Sequence, residues 1–137
     1  MFEIKPVFGW GTGIYMFKYA PFQLSSERTI ISTDAGDLGT AHSEYIGPLA
    51  ESGVLGTLSF LTILIVTAYT AIKLYYRLED KEAKMLVLAS LLGLITYYVH
   101  GLLNNFLDTD KASMPFWTFT AIIVAIDVYH SPKEALK

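Results

Sequence analysis

There is no cysteine among the 137 residues, which excludes disulfides, thiolate nucleophiles and thiolate-rich metal sites. The three histidines, His42, His100 and His130, lie too far apart for a short ligand spacing, so no metal site is expected. Basic residues form no patch and the net charge is -3, so nothing speaks for nucleic acid as a partner. Met1 is followed by Phe-Glu-Ile-Lys-Pro, without a basic segment running into an apolar stretch and a small-residue cleavage site; a cleaved signal peptide is not expected. Charge is scarcest along three long runs. Residues 54–76 carry only Lys73, residues 85–107 carry no charge if His100 is neutral, and residues 112–129 carry only Asp127.

What fills those runs is apolar: 53% of the chain is hydrophobic and the mean hydropathy is +0.41, outside the usual soluble range. The first two runs have 23 residues each, enough for a tilted helix across about 30 Å of hydrocarbon; the third has 18. A soluble domain this short has no room to hide two charge-free helices, because nearly every helix in it needs a polar face. The expectation is an all-α membrane protein with three transmembrane helices, over residues 54–76, 85–107 and 112–129. Residues 77–84 and 108–111 connect them, a loop over 1–53 precedes them with a short interfacial helix near 41–52, and 130–137 form a tail. The first span begins more than 50 residues in and would act as its own insertion signal, which suits an internal piece of a longer protein at least as well as a complete one.

Basic residues set the expected orientation. Lys73, Arg77, Lys81, Lys84, Lys133 and Lys137, six of the ten, flank the 77–84 connection or sit in the tail, which places both in the cytoplasm. The 1–53 loop has Lys5, Lys18 and Arg28 against six acids, Glu3, Glu27, Asp34, Asp37, Glu44 and Glu51, and is expected outside, with the 108–111 turn.

Within the loop, Gly9, Gly11 and Gly13 alternate in PVFGWGTGIY. The pattern fails as a dinucleotide fingerprint, since Gly13 falls where G-x-G-x-x-G has another residue and no strand precedes it; it reads as a sharp turn with close backbone approach. Phe17, Tyr19 and Phe22 beside Lys18 suit the headgroup layer. Residues 25–41 read as an irregular polar loop. Beyond it, His42, Tyr45 or Ile46, Leu49 and Gly53 fall on one helical face, with Thr40 as the expected N-cap and Pro48 keeping the helix short. Glu44 and Glu51, seven residues apart, share a second face without His42. The second span carries Thr96, Tyr97, Tyr98, His100, Asn104 and Asn105, with His100 and Asn104 one turn apart; such side chains should face other helices or a wet cavity. Pro115-Phe116-Trp117 reads as the start of the third helix, and Asp127 as a boundary residue.

His42-Ser43, nine residues, then Gly53-Val-Leu-Gly56 resembles the signature of the O-antigen ligase and O-antigen polymerase superfamily: His, then Asn, Ser or Gln, nine residues, Gly, two more, then Gly, Thr or Tyr. PVFGWGTGIY is similar to the glycine-rich segment that opens the large periplasmic loop of those proteins, and YYVHGLLNNFLDTDKASMPFW looks like their last pair of spans. The resemblance covers residues 6–129 and implies the C-terminal part of a GT-C-like polytopic fold in the bacterial inner membrane. Such proteins are metal-independent, cofactor-free glycosyltransferases of polysaccharide biosynthesis. They move glycans from an undecaprenyl diphosphate carrier onto an acceptor lipid or glycan. The chain would supply the closing part of the periplasmic loop and the last three spans. Activity would need the upstream helices, or another membrane subunit, as partner.

The resemblance makes His42 the candidate catalytic residue, and it is also the one histidine in a polar, outer-facing position from which an imidazole can take a proton from an acceptor hydroxyl. Arg28, the only arginine of the outer loop, is the local candidate for gripping diphosphate; Tyr45 and Asn104 complete the candidate substrate contacts. Glu51 is similar to an acidic position of the family and is expected in a structural salt bridge. Two other readings stay open. One is a small three-span accessory protein without catalysis; the other is a transporter fragment using His100 and Asn104 along a path.

Overall fold

The structure, a computed structural model, describes residues 1–24, 26 and 39–130. Among the described residues it is all-helical. A four-residue helix α1 (Tyr15–Lys18) and a short helix α2 (Ile46–Glu51) precede three long helices, α3 (Gly53–Arg77), α4 (Lys81–His100) and α5 (Asp110–Tyr129). Single 3-10 turns stand at Phe2–Ile4, Ala20–Phe22 and Phe106–Asp108. The chain divides into two compact units: the described residues of Met1–Leu61 with Gly101–Asn105, and Thr62–His100 with the described residues of Phe106–Lys137.

Helices α3, α4 and α5 are each long and apolar enough to cross a membrane. At 1.5 Å per residue, the 25 residues of α3 extend about 37 Å and the 20 of α4 and of α5 about 30 Å. Only 17–22% of the positions in their most apolar windows are buried inside the chain, so most of their apolar surface points outward, as lipid-facing helices require and soluble ones do not.

The second unit is held by narrow stripes. The buried positions of α3 are Leu64, Thr67, Ala71 and Leu74, continued by Leu78 after the helix, an alternation of three and four residues that keeps one seam facing inward. The stripe of α4 is Ala83, Val87, Ser90, Leu91 and Leu94, and that of α5 is Phe116, Ile123 and Ile126. Small residues recur in these seams because close backbone approach is what membrane helices pack by. Gly93 shows this: a Cβ there would run into the ring of Phe119. Phe116, 2% exposed, is met edge-on by Tyr97 and Tyr98, and the Tyr98 hydroxyl reaches the Leu64 carbonyl of α3 at 3.5 Å.

Five hydroxyls inside the spans are satisfied locally. Thr57, Ser59, Thr96, Thr118 and Thr120 each donate to the carbonyl four residues back. Thr96 therefore needs no partner on a neighbouring helix, and its side chain borders an open cavity, one of the two surroundings expected for that face.

Helix boundaries depart from the hydropathy limits for stated reasons. α4 starts at Lys81 rather than 85, because the Asp80 carboxylate accepts the Glu82 N–H at 3.0 Å and caps a first turn of charged residues. It stops at His100, where Gly101 leaves the helix, so His100 and Asn104 do not share a helical face. α5 starts at Asp110 with extended Thr109 as N-cap, which puts Pro115 inside the helix rather than at its head. Asp110 in that first turn complements the helix dipole.

Filling the seam at Gly93 tests the packing. Gly93→Leu should cost about 1–3 kcal/mol by overpacking against Phe119. Leu92→Ala, at an exposed position, should cost less than half as much, as read by thermal unfolding in detergent.

Candidate functional site

The candidate site lies in the first unit, where two distant stretches are tied together by backbone groups. A helix leaves its first N–H groups and its last carbonyls without partners inside the helix. At the junction of α2 and α3 both sets are met by residues 6–11. The carbonyls of Pro6 and Val7 accept the N–H groups of Val54 and Leu55 at 2.8 and 3.4 Å, while the N–H groups of Trp10 and Gly11 donate to the carbonyls of Ala50 and Glu51 at 3.1 and 2.8 Å. The Glu51 carboxylate also accepts the Tyr15 N–H at 2.9 Å, which caps α1.

Two glycines make the clasp possible. Gly9 has φ +66° and Gly53 φ +64°, a left-handed backbone that disfavours other residues. A Cβ on Gly9 would strike the Glu51 carbonyl, and one on Gly53 would strike the Val7 and Pro6 carbonyls. The glycine-rich segment and the first glycine of the His-Ser signature thus meet as the two halves of one contact.

His42 is exposed and lies ahead of α2, not on it. Its φ is +46°, the only positive value at a non-glycine among the described residues. Its imidazole Nδ1 stands 3.4 Å from Thr40 Oγ1, with the donor set by the tautomer. The two residues after it turn inward: Ser43 is 3% and Glu44 9% exposed. The Ser43 hydroxyl and the Glu44 N–H both donate to the Gly101 carbonyl, at 3.3 and 2.8 Å. Ser43 Oγ is also approached by the N–H groups of Tyr45 and Ile46 at 3.3 and 3.4 Å, so Ser43, not Thr40, satisfies the opening of α2. Because the helix begins only at Ile46, Glu44 and Glu51 do not share a helical face.

Tyr45 is half-buried with its ring tilted against Phe60, centroids 6.2 Å apart. Burial, and then the Glu44 carboxylate, push its phenol above the ordinary range. Asn104 is half-buried in the Gly101–Asn105 turn, the turn whose first carbonyl anchors Ser43 and Glu44. Arg28 lies outside the described residues. The first unit thus contains His42, Tyr45 and Asn104. In the second unit, His100 borders a separate open cavity of about 330 Å³ with Thr96, Tyr97, Phe106 and Ala112. No group of three or more His, Cys, Asp or Glu side chains able to hold a metal occurs among the described residues.

Sequence reasoning missed Gly101, Pro6 and Val7, which act through carbonyls that no side-chain pattern announces. A glycine right after His100, with two asparagines close behind, was nonetheless a readable stop signal for α4.

Comparison with protein families, with curated proteins and with solved structures returned no match.

Two measurements check this geometry. Gly53→Ala and Gly9→Ala should each destabilise the first unit by at least about 1–2 kcal/mol, the cost of a left-handed backbone. Amide exchange at Val54 and Leu55 should rise about tenfold or more in Gly53→Ala, while amides at the middle of α4 hold their protection. Tyr15, stacked on Tyr19 at 4.9 Å, has its phenol pushed up to about 12 by burial and then by Tyr19. A raised folded value favours the neutral form in the folded chain. The stability it contributes is therefore complete below pH of about 10 and is lost as pH rises toward about 12. In a phenolate absorbance titration Tyr15→Phe should remove amplitude only from the most alkaline part of the curve.

Proposed function

We propose that the chain forms part of a glycosyltransferase of the O-antigen ligase and polymerase type. In this reading it acts on undecaprenyl-diphosphate-linked glycans at the outer face of the bacterial inner membrane, with His42 as the residue that receives the acceptor proton. The observation that carries this reading is the backbone of His42. A non-glycine residue held at positive φ, with its imidazole exposed while Ser43 and Glu44 are buried and bonded to Gly101, is a strained position fixed by its surroundings. The clasp through Gly9 and Gly53 supports the same reading, since it joins the two motifs that carry the resemblance.

In the proposed reaction His42 Nε2 takes the proton of an acceptor hydroxyl, with Nδ1–H directed at Thr40 Oγ1. The acceptor oxygen bonds to the anomeric carbon of the donor glycan. The bond from that carbon to the diphosphate oxygen breaks, and undecaprenyl diphosphate leaves with the electron pair. Tyr45 and Asn104 are the proposed contacts to substrate polar groups, and Arg28 the proposed cation for the leaving diphosphate. The remaining donor and acceptor surface comes from further membrane helices that pack on the outward faces of α3 to α5.

The test is transfer of glycan from undecaprenyl-diphosphate-linked donor in proteoliposomes, with the chain alone and with its neighbouring membrane subunits or helices. His42→Asn is the informative variant, because asparagine accepts the left-handed backbone but cannot act as the base. Its transfer rate should fall by about 10²–10⁴-fold, the usual share of general base catalysis, with an unchanged melting temperature. Transfer that survives this change sinks the catalytic assignment. Absence of transfer in every combination would favour a non-catalytic three-span accessory protein.

A further inference from the structure

The clasp fixes the depth of residues 4–8 as well as their fold. α3 is long and apolar enough to cross a membrane, its 25 residues exceeding the hydrocarbon core by about 7 Å, and as a span it has its first turn where the chain enters the leaflet. Pro6 and Val7 are hydrogen-bonded to the N–H groups of that first turn, at Val54 and Leu55, and so share its height. At that height the chain turns apolar side chains outward. Phe8 is 77%, Ile4 62% and Val7 49% exposed, next to Val54 and Leu55, which are themselves exposed. Residues 5–9 line an open groove of about 350 Å³.

Each backbone polar group that is already paired lowers the cost of bringing a segment up against the hydrocarbon. Here the carbonyls of Lys5, Pro6 and Val7 all accept N–H groups, those of Gly9, Trp10 and Gly11 all donate, and Pro6 has none to satisfy. The Trp10 indole N–H donates to the Met1 carbonyl at 3.0 Å, and the Lys5 ammonium lies 4.6 Å over the Trp10 ring, an arrangement that keeps the charge at headgroup level. Glu3 and Lys18 are the other charged side chains of this stretch, and both are exposed. We infer that residues 4–8 are an in-plane lipid anchor, with Ile4, Val7 and Phe8 inserted into the leaflet at which α3 begins. The occupant of this face is bilayer lipid. The inference rests on the membrane helices and the clasp, and is independent of the catalytic reading.

The absence of native cysteine makes single nitroxide labels clean. Phe8→Cys and, as a second site, Ile4→Cys would be labelled in the full chain in phosphatidylcholine nanodiscs. Ile65→Cys in the middle of α3 serves as the lipid reference and Asp80→Cys as the aqueous one, both exposed positions. Labels at positions 8 and 4 should show an oxygen-to-nickel-chelate accessibility ratio several-fold above that at position 80 and approaching that at 65. Adding Gly53→Ala should shift the position 8 label toward the aqueous value. Strong nickel access at positions 8 and 4 in the otherwise native chain would overturn the inference, since the face would then be in water. Protection from both reagents would overturn it too, since another protein segment or a second copy would then cover the face.

Discussion

A polypeptide entering hydrocarbon must leave no backbone donor or acceptor unpaired, and the arrangement of the first unit follows from that requirement. The break between α2 and α3 exposes carbonyls on one side and N–H groups on the other just where a membrane helix begins. Deeper in the hydrocarbon no water could hydrate them, so pairing them within the chain lets the helix start close to that boundary. Residues 6–11 satisfy both sets, and the cap of α1 by Glu51 and the turn of Gly9 are arranged around them.

The same requirement accounts for the second unit. The hydroxyls of Thr96, Thr118 and Thr120 return to carbonyls of their own helix and that of Tyr98 reaches across to α3, so van der Waals packing of stripes and small residues is the main cohesive force. The stripes are narrow because most of each helix faces outward. Such a unit is specified by shape at Gly93, Ala71 and Phe116 more than by any polar pair.

The three long apolar helices were legible from run length and scarcity of charge alone, since a run such as 54–76, with Lys73 as its one charge, has few alternatives. The limits were less so. Hydropathy cannot tell a helical charged turn from a loop, so it missed the Asp80 cap, and it ran α4 through Gly101 because Leu102 and Leu103 are apolar. At the candidate site the sequence gives His42 by chemistry, but periodicity wrongly placed it on the helix. The inward turn at Ser43 and Glu44 that follows it is bonded to Gly101, more than 50 residues away. Glycine spacing foretold a close approach in 9–13 without naming its partner, because carbonyl contacts leave no trace in residue identity.

The clasp also has a direction in time. Residues 6–11 leave the ribosome before residues 50–55, so the donors and acceptors that cap the α2–α3 break are already synthesised when α3 emerges. Bringing the two together closes a loop of more than 40 residues, but closure entropy grows only with the logarithm of length, which makes the wait inexpensive. The start of the first span is thereby sealed by material made earlier. The insertion of α3 does not depend on α4 or α5 to complete its hydrogen bonding at that end.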